Sequence, residues 1–275
     1  MRLAFDPQFE VGALAFRWQA VGLAVIFLLA LAWWWRSLRR ARPGIRPDDL
    51  LFVVLGIVPG ALVGGRLMHG LVFSEAYLAR PDVILDLSRG SLSLTGAVLG
   101  GLISGGYVSR LLGHSVRIWC QAASGPLLLA IGLGKLSLLL SGGGQGVPFD
   151  GPWAISYSGP GPWLAADASA AAHPSQAYEG LWTLAGLVLA AGARPILRGR
   201  VGPRVGVGVG AGAEVGGAFL VALAWWLAGR FLVGFTWRED ALVGALRAEQ
   251  LIALLGGSVI VAALWLRRRP KVTGR

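Results

Sequence analysis

Seven apolar runs, each close to the length needed to cross a bilayer, limit what this chain can fold into. A helical span needs about 20 mostly apolar residues. The runs fall at Trp18–Trp35, Leu51–Phe73, Leu92–Leu112, Ala122–Ser141, Tyr178–Ala193, Val205–Ala228 and Leu251–Leu266, the fifth and seventh borrowing flanking residues. The sixth begins in a glycine-rich stretch that carries Glu214, which moves its start several residues later and puts Glu214 at the interface. The expected architecture is an all-α polytopic membrane protein of about seven transmembrane helices, one integral-membrane domain over residues 1–275.

Composition supports this and excludes the main alternative. A soluble domain is near a quarter charged, whereas this chain is 14% charged and 55% hydrophobic, with a mean hydropathy of +0.64. Its net charge of +11 does not point to a nucleic-acid partner, because the basic residues cluster between apolar runs and form no basic face of a soluble fold. Forty-two glycines and 12 tryptophans suit a membrane bundle, in which small residues let helices approach and Trp sits at headgroup level. The single Cys120 excludes an intramolecular disulfide and a cysteine metal cluster, and its apolar surroundings read as those of a buried small residue. The first run lacks a small-residue cleavage site and is followed by its basic cluster, so it is expected to remain as a span.

Cytoplasmic loops of plasma-membrane proteins carry the excess of Lys and Arg. The connections after the first, third and fifth runs, with the C-terminal tail and Arg110 at the end of the third run, hold 16 of the 25 such residues; the other side holds 7, and Arg66 and Lys135 fall deeper inside runs. The N-terminus is therefore expected outside and the C-terminus in the cytoplasm. Residues 142–177 have no Lys or Arg and form a long outer-side loop or cap, ordered or re-entrant, rich in Gly, Pro and Trp.

Ionisable groups inside spans are expensive and are functional candidates by default. Arg66 and Lys135 lie about seven and six residues, or ~10 Å, before the outer end of their runs. Gln19, Thr95, the segment from His173 to Glu179, Arg230 and Gln250 gather at the same level. Two partly desolvated cations beside an apolar cavity suit the phosphate of a phospholipid whose acyl chains stay in the membrane; the alternative is that both snorkel to outer headgroups. In His173-Pro174-Ser175-Gln176, Pro174 holds His173 extended and Ser175 can cap a helix with Gln176 and Glu179 three apart on one face, an arrangement that also reads simply as a capped helix start. A transporter would use intramembrane polar groups too, but there is no fixed-period repeat and no matched pair of broken spans.

These residues resemble a known family. Phe5-Asp6-Pro7, Gly12, Trp18, Gly22, Arg42, Asp48 to Leu51 and Gly64-Gly65-Arg66 look like the N-terminal third of prolipoprotein diacylglyceryl transferases. His173-Pro174-Ser175-Gln176-Ala177-Tyr178-Glu179 resembles that family's His-Pro-Ser-Gln-Leu-Tyr-Glu signature. The resemblance implies transfer of a diacylglyceryl group from phosphatidylglycerol to the lipobox cysteine thiol of a prolipoprotein, with glycerol phosphate released. The nucleophile then belongs to the substrate, and no metal or organic cofactor is implied. Expected partners are phosphatidylglycerol, prolipoprotein signal peptides with a lipobox cysteine, and membrane lipids. The expected location is the bacterial plasma (inner) membrane, multi-pass, with the site at the outer leaflet.

Residue by residue, the resemblance implies catalytic roles for Lys135, His173 and Glu179, and phospholipid binding by Arg66, Lys135 and Arg230. Thr95, Gly146, Gln176, Tyr178 and Gln250 shape the outer loop and the site. Some positions depart from the family. Thr95 stands where the family has His, Lys135 where it has Arg, Leu138 where it has Asn and Gly143 where it has Glu. After the sixth run the family has Arg, a Glu four residues on and a further Arg; here Arg230 and Arg238 stand without that Glu. The alternative these substitutions raise is a non-catalytic relative that keeps the fold and binds a lipid or signal peptide.

Overall fold

The structure, a computed structural model, describes residues 1–78, 81–85, 92–165, 167–200 and 216–268. The start of the sixth run, with Glu214, lies outside the described residues. In chain order the elements are β1 (Arg2–Ala4), β2 (Gln8–Val11), β3 (Leu14–Arg17), α1 (Trp18–Ala41), α2 (Pro47–Val72), α3 (Ser74–Leu78), α4 (Leu94–Leu111), α5 (Val116–Ser137), β4 (Ser156–Ser158), α6 (Ser175–Arg200), α7 (Gly217–Val233) and α8 (Ala248–Arg268). Among the described residues, five helical segments are long and apolar enough to cross a membrane: Trp18–Ala41, Pro47–Val72, Val116–Leu140, Gly217–Thr236 and Ala248–Arg267.

The protein is mostly helical, and the all-α expectation is corrected by four short strands. β1 pairs in parallel with β4, more than half the chain away, and β2 pairs with β3 in an antiparallel hairpin whose turn uses Gly12 at φ +63°. Strands of three or four residues leave almost no alternating pattern, and the β1 partner is remote in sequence, so neither sheet shows in a local reading.

The chain divides into two compact units, Trp35–Ala122 and a second made of Met1–Trp34 with Ala123–Arg275. In the first unit, α2 and α4 meet along a line of glycines. A Cβ on Gly64 would sit 2.5 Å from the Gly96 carbonyl oxygen, and one on Gly100 would run into the carbonyl of Gly60. Lipid tails give apolar helix faces no hydrophobic reason to associate, so this close backbone approach supplies the packing. Local chemistry sets the helix boundaries. Pro47 opens α2, Asp49 accepts the Arg46 N–H at 2.9 Å, and Asp48 and Asp49 face the positive end of the helix dipole. Ser93 Oγ accepts from Gly96 N at 3.3 Å to cap α4, and Gly113 closes it at φ +73°. His114 Nε2 lies 3.1 Å from Asp49 Oδ2, tying the α4–α5 turn to the start of α2.

In the second unit, α6 and α7 are joined by two tryptophans. The Trp182 and Trp225 rings stack with centroids 4.6 Å apart, and each indole N–H donates to the other residue's backbone carbonyl at 2.9 and 2.8 Å. Both indole donors are thus satisfied away from water, as a bilayer interior requires. Gly186 leaves the room, since a Cβ there would be 2.6 Å from Trp225 Cδ1. On α5, Gly132 approaches Gly180 of α6 closely enough that a Cβ on Gly180 would lie 2.9 Å from the Gly132 carbonyl.

The connection from α5 to α6 is ordered over its described residues. Ala172 bridges Pro148 and Ile155, Gly146 N donates to His173 O at 2.8 Å, and Val147 N donates to Thr236 O at 2.9 Å. The first residue also joins it, as the Met1 ammonium donates to the Ala154 carbonyl.

Gly64→Val should lower the thermal unfolding temperature of the detergent-purified protein, because two side-chain branches must fit against the backbone of α4. The expected cost is about 1–3 kcal/mol. Differential scanning reads it, and Gly64→Ala should show a smaller loss of the same sign in the same measurement.

Candidate active site

Four helix ends in the second unit bring together four charges, three of them buried. Lys135 lies in the last turn of α5, Glu179 near the start of α6, Arg230 in the last turn of α7 and Glu249 in the first turn of α8. Each cation therefore stands at a helix C-terminus and each carboxylate near a helix N-terminus, the arrangement that helix dipoles favour. Lys135 Nζ is 2.8 Å from Glu179 Oε2, Arg230 Nη1 is 2.9 Å from Glu179 Oε1, and Arg230 Nη2 is 2.9 Å from Glu249 Oε2.

Burial decides how strongly these pairs matter. The side chains of Glu179, Arg230 and Glu249 are 1%, 5% and 6% exposed, and Lys135 is 20% exposed. Exposed pairs are worth little, whereas removing one partner of a buried pair leaves an uncompensated charge and costs about 3–5 kcal/mol. Two tryptophans add to the hold on Arg230, whose guanidinium carbon lies 5.6 Å from the Trp226 ring and 4.8 Å from the Trp237 ring. Trp226 Nε1 also donates to Glu179 Oε1 at 3.4 Å. Arg230 Nε–H has no hydrogen-bond partner among the described residues.

The remaining expected site residues of this unit form two smaller groups. His173 stacks on Phe149 with centroids 3.9 Å apart and pairs through Nδ1 with Tyr178 Oη at 3.1 Å, and Trp153 Nε1 donates to that same hydroxyl at 2.6 Å. Gln176 is buried and donates through Nε2 to Tyr157 Oη at 3.3 Å. Burial pushes the Tyr157 phenol up to about 12, the Gln176 hydrogen bond opposing it, so Tyr157 stays neutral at any working pH. Gly146 shapes this region by lacking a side chain: a Cβ would run into the Thr236 carbonyl and Ser175 Oγ, and its own carbonyl accepts from Arg238 Nε at 2.6 Å.

Gln250 is completely buried. Its Oε1 accepts from Arg247 N at 3.0 Å and its Nε2 donates to Phe231 O at 2.9 Å, pinning the start of α8 to the end of α7.

Arg66 and Thr95 belong to the other unit. Arg66 is 1% exposed, donates through Nη2 to Val83 O at 2.9 Å and stands 5.9 Å from the Tyr77 ring. Thr95 is buried in the first turn of α4.

Sequence reasoning missed Glu249, Trp226, Trp237, Tyr157 and Glu239. The available signal for Glu249 was its place beside Gln250 at the start of an apolar run, where an acidic group meets the positive end of a helix. Glu239, in the α7–α8 connection, is pushed up by burial and then by the nearby Glu249 charge, with Arg230, Arg247 and Lys135 pulling the other way. It thus feels the same cluster.

Five helical segments of span length and a cluster of paired charges at helix ends define a multi-pass membrane protein. The sequence model of the family described as prolipoprotein diacylglyceryl transferase matches residues 7–266. The chain is 29% identical over 263 residues to a phosphatidylglycerol–prolipoprotein diacylglyceryl transferase of Acaryochloris marina, covering 94% of this chain and 89% of the relative. It is 30% identical over 245 residues to the protein of that name from Geobacter sulfurreducens, covering 88% and 85%. A third relative so named, from Mesorhizobium japonicum, is 28% identical over 274 residues, covering 93% and 87%. The chain belongs to the prolipoprotein diacylglyceryl transferase family.

Glu179→Gln should destabilise the protein strongly, by about 3–5 kcal/mol, because one change strips both cations of a buried counter-charge. Thermal unfolding in detergent reads the loss, and Tyr178→Phe, which keeps the ring and loses one partly exposed hydroxyl, should cost about 1 kcal/mol or less.

Proposed function

We propose that this protein transfers the diacylglyceryl group of phosphatidylglycerol to the lipobox cysteine thiol of a prolipoprotein at the outer leaflet of the bacterial inner membrane. The reading includes seven spans, α4 and α6 being counted in addition to the five helical segments already of span length, the N-terminus outside and residues 142–177 as a long outer-side loop or cap. The observation that carries it is the Lys135, Glu179, Arg230 and Glu249 cluster at helix ends in a member of this family.

In this reaction the substrate sulfur attacks the glyceryl carbon that bears the phosphate ester. The carbon–oxygen bond breaks, glycerol phosphate leaves with the electron pair, and the thiol proton goes to a base or to solvent. Most of the barrier lies in the charge gathering on the leaving phosphate, so cations fixed in advance in a dry site contribute most. Lys135 and Arg230 are assigned this task, and Arg66 is assigned to phospholipid binding within its own unit.

Glu179, with both oxygens already facing cations, is suited to orienting them and poorly suited to accepting a proton. His173 is the better acceptor, since its imidazole sits at the cap and Tyr178 fixes its orientation. Thr95 then need not carry a proton.

The test is turnover of a lipobox peptide with phosphatidylglycerol by the purified protein, together with complementation of a transferase-depleted strain. Lys135→Ala should reduce kcat/KM by at least about 100-fold and Lys135→Arg should keep or raise it, since Arg can supply a two-donor fork. Full activity of the Ala variant would remove Lys135 from the mechanism. Unmodified precursor despite inserted wild-type protein would leave a lipid-binding relative in place of the enzyme.

A further inference from the structure

Arg230 is held by carboxylates from two helices, and only one of them, Glu179, belongs to the signature segment that begins at His173. The second, Glu249, lies in the first turn of α8 and faces Arg230 Nη2 at 2.9 Å with its side chain 6% exposed. No side chain one turn after Arg230 can do this, because that position is Gly234, where a Cβ would collide with the side chain of Gln250. The contact that excludes a side chain at 234 also sets Glu249 in place: Gln250 Nε2 binds Phe231 O at 2.9 Å and so locks the first turn of α8 against the last turn of α7.

The two carboxylates take one terminal nitrogen each, which fixes the guanidinium plane, while Trp226 and Trp237 lie near it at 5.6 and 4.8 Å. With Lys135 and Glu179, Glu249 also brings the four-membered cluster to formal neutrality.

We infer that Glu249 is a positioning residue for the transfer reaction, holding Arg230 in the orientation that meets the leaving phosphate and cancelling the charge that would otherwise trap the anionic lipid in its ground state. The inference rests on the proposed transfer activity. Its consequence is a split between the kinetic constants. A surplus positive charge strengthens binding of substrate and glycerol phosphate alike, whereas a guanidinium free to turn stabilises the transition state less well.

The experiment compares Glu249→Gln, Glu249→Asp and wild type as purified full-length proteins whose folded fraction is measured by thermal unfolding. Glu249→Gln keeps size and an acceptor oxygen but removes the charge. Its KM for phosphatidylglycerol should fall about three- to tenfold while kcat falls about 10- to 100-fold. Glu249→Asp should return KM to the wild-type value and recover part of kcat. A purely structural role would lower kcat through the folded fraction with KM unchanged, and that result, or a raised KM in Glu249→Gln, would overturn the inference.

Equilibrium binding to zwitterionic nanodiscs, with and without phosphatidylglycerol at a fixed fraction, gives a readout independent of turnover. Glu249→Gln should hold phosphatidylglycerol several-fold more tightly than wild type, with phosphatidylcholine binding unaltered; equal affinities would overturn the charge-cancelling role. Should wild type bind phosphatidylglycerol but transfer nothing, the transfer reading fails, and the positioning role fails with it, while the binding comparison still decides whether Glu249 sets the affinity.

Discussion

The pairing of Lys135 and Arg230 with Glu179 and Glu249 is the interaction on which the second unit depends. A lone charge at this depth would cost several kcal/mol, and four charges are tolerable only because each has an opposite partner within 3 Å and lies at a helix end of complementary polarity. That requirement fixes more than the charges. It holds the end of α5, the start of α6, the end of α7 and the start of α8 at one level, and so sets where the connections between them begin. The cap built from the α5–α6 connection then closes on the α7 end through Val147 and Thr236.

Away from this centre the helices associate by other means. Between α2 and α4 it is the absence of side chains at Gly60, Gly64, Gly96 and Gly100 that brings backbones together. Between α6 and α7 it is two tryptophans that satisfy their own donors on each other's carbonyls, with Gly186 making space. Both solve one problem: in lipid, apolar surface alone does not select a neighbour, so packing shape and satisfied polar groups must.

Several candidate residues could be read directly. Lys135 and Arg66 stood out because ionisable residues inside apolar runs are rare, and Glu179 because it closes a recognisable signature. The roles were less legible. Gln250 ties α8 to α7, while its neighbour Glu249 completes the charge cluster. Adjacent residues on a helix point about 100° apart, so which of the two reaches Arg230 depends on the rotation of α8 against α7, a quantity no single run encodes. The strand pairing of Arg2–Ala4 with Ser156–Ser158 was hidden for a similar reason, since its partner is distant and three residues carry no period.

By itself the sequence determined the solvent this protein lives in, the helices that answer to it and the residues too polar to lie there without a purpose, because hydropathy, run length and helix-end chemistry are local properties. Only the tertiary structure decided the partnerships: that Glu179 serves two cations at once, that Arg230 draws its second carboxylate from α8 past Gly234, and that His173 is set by Tyr178. Ion pairs and hydrogen bonds act over about 3 Å, and which groups come that close is fixed by how helices far apart in the chain rotate and pack.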